Sequence, residues 1–157
     1  MNADPRVMEY FPSTLSRAES DAFAARIREH LAKHGFSFWV VESRADGAFL
    51  GLTGLLRPRF VAHFTPCVEV GWRFAAAHWE KGYATEAAKA ALRFGFDRLE
   101  LAEIVAYTVP QNRRSRRVME KLGMSHSSAD DFDHPALPEH HQLRRHVLYR
   151  ILRPTSR

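Results

Sequence analysis

The chain has 157 residues, 45% of them apolar and 26% charged, which suffices for one buried core and leaves too little for two, so a single domain over 1–157 is expected. A formal charge of +5 fits an anionic ligand or plain solubility, and the lone cysteine, Cys67, excludes an internal disulfide and points to a reducing compartment. No apolar run reaches the length of a membrane span and "MNADPRVMEYF" lacks a signal-peptide core, so a cytoplasmic location is expected.

In chain order, Pro5 and Pro12 punctuate the start, which reads as loop or a short helical end. Ser16 and Glu19 form a capping box for a helix running to about His34, with Phe23, Ile27 and Leu31 on one face and Gly35 as its stop. "FSFWVVES" (36–43) and "AFLGLTGLL" (48–56) are β-branched or aromatic runs joined by Asp46-Gly47, a hairpin signal. "CVEVGWRF" (67–74) is a third strand that puts Val68, Val70, Trp72 and Phe74 on one face and Glu69, Gly71 and Arg73 on the other. Cys67, at its start, reads as a small buried hydrophobe.

A helix from about Thr85 to Leu99 follows, with Ala84, Ala88, Leu92 and Phe96 aligned. "EIVAYTV" (103–109) reads as a strand buried on both faces. Asn112 caps a further helix ending at Leu122, with Gly123 beyond. "MSHSSADDF" is a weak strand leading to a His- and Pro-rich loop, and "RRHVLYRIL" (145–152) is the last strand. The order predicts an α/β fold: a mixed, mostly antiparallel sheet with helices packed on it.

The turn "HWEKGYATEA" carries the chemistry. A strand that feeds a helix through a glycine-bearing turn aims unpaired amides and the helix dipole at one spot, which is how anions are bound. Gly82 permits close backbone approach, Ala84 stays small, and Thr85 adds a hydroxyl. The common nucleotide loops, Gly-x-x-x-x-Gly-Lys-Ser/Thr and Gly-x-Gly-x-x-Gly, are absent.

"EVGWRFAAAHWEKGYATEA" resembles the acetyl-CoA segment of the GNAT acetyltransferases, and within them the RimJ/RimL-type form Trp-Gly-Lys-Gly-Tyr-Ala-Thr-Glu-Ala. "VPQNRRSRRVMEKLGM" and the tail "DFDHPALPEHHQLRRHVLYRIL" match in the same order, from about Phe36 onward. Glu80 departs from the family's Gly, and Ala76 stands where many relatives have Pro. The resemblance implies a GNAT fold with two splayed central parallel strands and helices on both faces. It also implies that a strand and most of a helix should precede "NADPRVMEYFP", so an exposed or oligomer-covered edge is expected at the second strand, and a homodimer is one outcome.

By the same resemblance, acetyl-CoA is the cosubstrate, no metal is needed, and the acetyl group moves to a primary amine of a protein or small molecule. The coenzyme would touch Phe74, Lys81, Gly82, Tyr83, Ala84, Thr85 and Asn112. Glu69 is the candidate base; a mid-strand carboxylate paired to an arginine or facing solvent is the other reading. Ser115 is the candidate proton donor to the thiolate, although a place in the first turn equally suits capping. Asp133 and His134 are candidate acceptor-pocket residues. A non-catalytic acetyl-CoA sensor is the alternative on the same fold. Arg113, Arg114, Arg116 and Arg117 crowd one helix start, against its dipole, and suggest an anionic partner or a solvated face. Nucleic acid is not favoured, because no recognition-helix or single-strand platform signature accompanies them. His30 and His34, four apart, lack an evident third metal ligand.

Overall fold

The computed structural model describes residues 1–154. The first helix, α1 (Arg17–His34), begins at the capping box: Ser16 Oγ accepts from the Glu19 amide, and Glu19 accepts from the Ser16 amide. Gly35 ends it at φ 77°, a left-handed conformation glycine adopts without strain. The inward face differs from the expected one. Phe23 and Ile27 turn inward with buried His30, while Leu31 is 43% exposed. His30 accounts for that rotation. Its Nδ1 donates to the Phe36 carbonyl at 2.8 Å and its Nε2 accepts from the Arg57 amide at 3.0 Å, pinning the helix end to the sheet. Among the described residues, no group of three His, Cys, Asp or Glu is placed to hold a metal ion.

The strands are β1 (Phe38–Glu42), β2 (Phe49–Leu56), β3 (Glu69–Phe74), β4 (Glu103–Thr108), the short β5 (Ser125–His126) and β6 (Phe132–Asp133), and β7 (Arg145–Leu152). They form one sheet in the order β1-β2-β3-β4-β7-β5, with β6 also beside β7. All pairs are antiparallel except β3 with β4, which are joined by a crossover through α2 (Tyr83–Asp97). The expected edge at the second strand is not found: β2 is paired on both sides, and the free edge is β1, with Val40 57% exposed. The stretch after the third helix, α3 (Arg113–Lys121), forms two short strands rather than one, because a 3-10 turn at Ser128–Asp130 divides it.

The two faces of β3 have different partners. Val68, Val70 and Phe74 are buried, and Val68 and Val70 pack with Ala88, Leu92 and Phe96 of α2 and Met119 of α3. The opposite face meets α1 and the N-terminal segment, since the Arg73 guanidinium lies over the Phe11 and Phe23 rings. Helices therefore cover both faces, as a sheet apolar on both sides requires. A second cluster, Phe64, Val105, Phe132 and Leu148, fills the space under the loop before β3.

Candidate active site

The parallel pair is where the sheet opens. β3 and β4 are in register at one pair only, Glu69↔Val105, and the Val105 amide bonds the Val68 carbonyl at 3.0 Å. Backbone groups of alternate strand residues point the same way. Val70, Trp72 and Phe74 therefore aim theirs at the gap between the strands. The Phe74 carbonyl is already taken by the Trp79 indole N–H, at 2.9 Å.

The gap runs into a groove of about 940 Å³. One end is the turn before α2. Gly82 is the N-cap, at φ 85°, and no side chain caps the helix. The first amides of a fifteen-residue helix thus face the groove without a side-chain partner. Gly82, Tyr83, Ala84 and Thr85 line it; Lys81 is exposed and lies outside the lining. Glu80 sits at φ 61°, in the left-handed region. A side chain costs about 1 kcal/mol in this conformation, a cost that glycine escapes. Glu80→Gly should therefore raise the melting temperature by roughly 2–4 °C, the shift that about 1 kcal/mol gives in a domain of this size. An unchanged melting temperature would show that the turn holds Glu80 without strain.

Asn112 spends both ends of its amide inside the protein. Its Oδ1 accepts from the Ser115 amide at 3.2 Å, capping α3, and its Nδ2 donates to Thr108 Oγ1 at 3.0 Å. Ser115 also faces the groove. The arginine cluster separates. Arg116 folds back on Tyr149 Oη and the Pro110 carbonyl, and Arg114 lies over Trp79 while pairing with Glu9 at 3.0 Å. Arg114, Arg117 and Lys121 line the groove, so the α3 cations border the end where the helix amides converge.

At the other end stands Glu69. Tyr107 Oη donates to its Oε2 at 2.5 Å. Burial pushes the Glu69 carboxyl up to about 7, and the Tyr107 hydrogen bond only partly offsets this. Burial and the adjacent carboxylate push the Tyr107 hydroxyl upward, so it stays protonated as a donor. No arginine pairs with Glu69 among the described residues. The sequence does not single out Tyr107; its signal is a hydroxyl directly after the apolar Ile104, Val105 and Ala106 of "EIVAYTV".

His134 and His146 line the same end, rings 5.2 Å apart. Burial lowers both below the usual histidine value, and for His134 the neighbouring His146 adds to this. His134 Nδ1 accepts the Ala136 amide, leaving Nε2 to carry its proton when neutral. Asp133 is not brought here. It lies outside the groove lining and pairs with Arg145 at 3.4 Å and Arg144 at 3.7 Å. Cys67 is half-buried, its thiol pushed up to about 11 by burial, which makes it a poor nucleophile.

Comparison with known proteins decides the family. The model of the acetyltransferase (GNAT) domain matches residues 1–125. The chain belongs to the GNAT acetyltransferases. This acyltransferase is 35% identical to the uncharacterized protein YkkB of Bacillus subtilis over 124 residues, 79% of this chain and 71% of that one. It is also 34% identical to the uncharacterized N-acetyltransferase YnaD of the same organism over 122 residues, 78% and 68% of the two chains. A GNAT acetyltransferase from Bacillus anthracis superposes with TM-score 0.76 at 27% identity, covering 97% of this chain and 84% of that one. Spermidine N-acetyltransferase from Vibrio cholerae, in complex with CoA and spermine, has the same fold at 19% identity and TM-score 0.73, covering 97% and 85%. GNAT enzymes use acetyl-CoA, and no helix among the described residues of this one is long and apolar enough to cross a membrane.

Proposed function

We propose that this GNAT enzyme transfers acetyl from acetyl-CoA to a primary amine by direct attack within a ternary complex. The observation that carries the reading is the Glu69–Tyr107 pair, set beside the opening between β3 and β4 in the groove that also receives the α2 amides. The residues present fit the coenzyme: an uncapped helix start and flanking cations suit its phosphates, and the gap-facing backbone of β3 suits its amide-bearing arm. Gly82 to Thr85 would hold the pyrophosphate, with Lys81 and Asn112 at its margin and the backbone around Trp72 and Phe74 along the arm. The bound coenzyme supplies an activated acetyl thioester.

Glu69, directly or through a water, takes one proton from the acceptor's ammonium, which frees the nitrogen lone pair for the carbonyl carbon. Tyr107 holds the carboxylate in place as its charge changes. A β3 amide facing the gap is a donor for the developing oxyanion. As the new C–N bond forms and the C–S bond breaks, Ser115 would give its hydroxyl proton to the leaving thiolate and take up, directly or through a water, the second proton that the nitrogen sheds, so that the hydroxyl is restored. His134 belongs to the acceptor wall, where a neutral imidazole can pass a proton onward. The RimJ/RimL-type assignment rests on the run Trp79 to Ala87.

Incubation with acetyl-CoA and a panel of primary amines, with thiol release as readout, should show amine-dependent turnover. Micromolar coenzyme binding without amine-dependent thiol release would instead support the non-transferring alternative.

A further inference from the structure

Arg73 has no role in the chemistry above, yet it lines the groove on the same strand face as Glu69. Burial pushes its guanidinium down to about 10, with no charged neighbour to offset the effect. Among the described residues no carboxylate lies within ion-pair reach of it, and its protein hydrogen-bond partner is the Asn2 side-chain oxygen, at 3.0 Å. A guanidinium has five N–H donors. The others are not sealed away, since among the described residues Ser37 Oγ is the one fully buried side-chain polar atom lacking a partner. Phe11 and Phe23 hold the group at 4.2 and 4.9 Å from their ring centres, which fixes the donor fork. If Arg73 served only to pack those rings, an aliphatic chain would do so without the desolvation cost of an uncompensated charge.

The surroundings define what the fork awaits. Glu69 and Arg73 are four residues apart on one strand, so their Cα atoms lie roughly 13 Å apart. Between them is Gly71, and the Phe38 ring lies where a Gly71 side chain would project. The path is thus apolar, with a proton acceptor at one end and an anion receptor at the other. Among the described residues, the acidic ones lining the groove are Glu69 and Glu80, and Glu80 is at the coenzyme end. A polyamine would bring its second cation towards Arg73 with no carboxylate to meet it.

We infer that Arg73 is the specificity-determining anchor for a carboxylate on the acceptor, so that the preferred acceptors are amines carrying a carboxylate several bonds from the nitrogen, such as short peptides with a free C-terminus or ω-amino acids. This rests on the acetyl-transfer reading above. Arg73 makes a two-pronged, charge-assisted contact with the carboxylate, while the amine is presented to Glu69.

The test uses glycine peptides of one to four residues, each as free acid and as C-terminal amide, which changes the charge and little else. The expected result is a free-acid preference of tenfold or more in kcat/KM at the best length, equivalent to about 1.4 kcal/mol. Arg73→Gln should bring the acid-to-amide ratio close to one, and Arg73→Lys should retain part of it. Thermal shift of the CoA-saturated protein gives a readout independent of turnover: free acids should stabilise it more than amides, and Arg73→Gln should remove the difference. Equal kcat/KM for acids and amides in an active wild type overturns the anchor and leaves acetyl transfer standing. Failure of the whole series and of every other amine overturns both.

Discussion

Replacing Glu69 with Gln is expected to lower kcat/KM for acetyl transfer by about 10²–10⁴-fold, the usual contribution of a positioned general base. The substitution keeps the side chain's size and lets Tyr107 still donate to an oxygen, so the loss reports proton transfer rather than packing. With an acceptor whose own ammonium titrates well above neutrality, wild-type kcat/KM should rise through a limb near pH 7, where the buried carboxyl ionises. The variant should lack that limb, and an unchanged profile removes Glu69 from the role. Stability should move in the opposite sense. The folded protein holds the Glu69 proton more tightly than the unfolded chain does, because burial raises its value from 4.5 to about 7. Its contribution is therefore full below about pH 4.5 and is lost as pH climbs through 7. Between pH 5 and 8, wild type should lose about 2 kcal/mol relative to Glu69→Gln, readable as diverging melting temperatures.

The second large effect belongs to Gly54→Val, expected to destabilise the fold by about 3 kcal/mol and lower the melting temperature by about 10 °C. A Cβ added at Gly54 would lie 2.2 Å from the Ser37 carbonyl oxygen and 2.7 Å from the Phe38 Cα, both backbone atoms that cannot swing aside. Gly51 has the matching problem towards the other neighbour, 2.4 Å from the Arg73 carbonyl oxygen. Together they let β2 lie close to both β1 and β3. Phe38 and Arg73, the strand residues they accommodate, line the groove. Gly54→Val should therefore also impair whatever transfer survives. A melting temperature within 2 °C of wild type would show that the sheet relaxes around the side chain.

Much of this was written in local sequence. Ser16, Glu19 and Gly35 bound α1 through capping chemistry that needs no tertiary information. Alternation along Glu69–Phe74 separates a core face from a groove face, and Arg145–Leu152 is a strand over the span its pattern suggests. What stayed hidden depends on register between distant strands. Tyr107 reaches Glu69 because β4 aligns Val105 with Glu69, a pairing no local pattern specifies. Arg73 reads as one more charged strand residue until Phe11 and Phe23 are seen to enclose it. Asp133 lies outside the groove lining for a related reason. In β6, Phe132 takes the core side, so the next side chain projects away, towards Arg145 directly across on β7.

The single rung between β3 and β4 makes the sheet two ladders held together along one seam. An extended ligand lying in that seam, with backbone-like amides of its own, acts as a temporary strand and restores rungs the polypeptide leaves out. By linkage, such a ligand at a hundred times its dissociation constant adds about 2.7 kcal/mol to the folded state. The protein's resistance to unfolding and proteolysis would then rise and fall with the supply of the molecule that fills the seam.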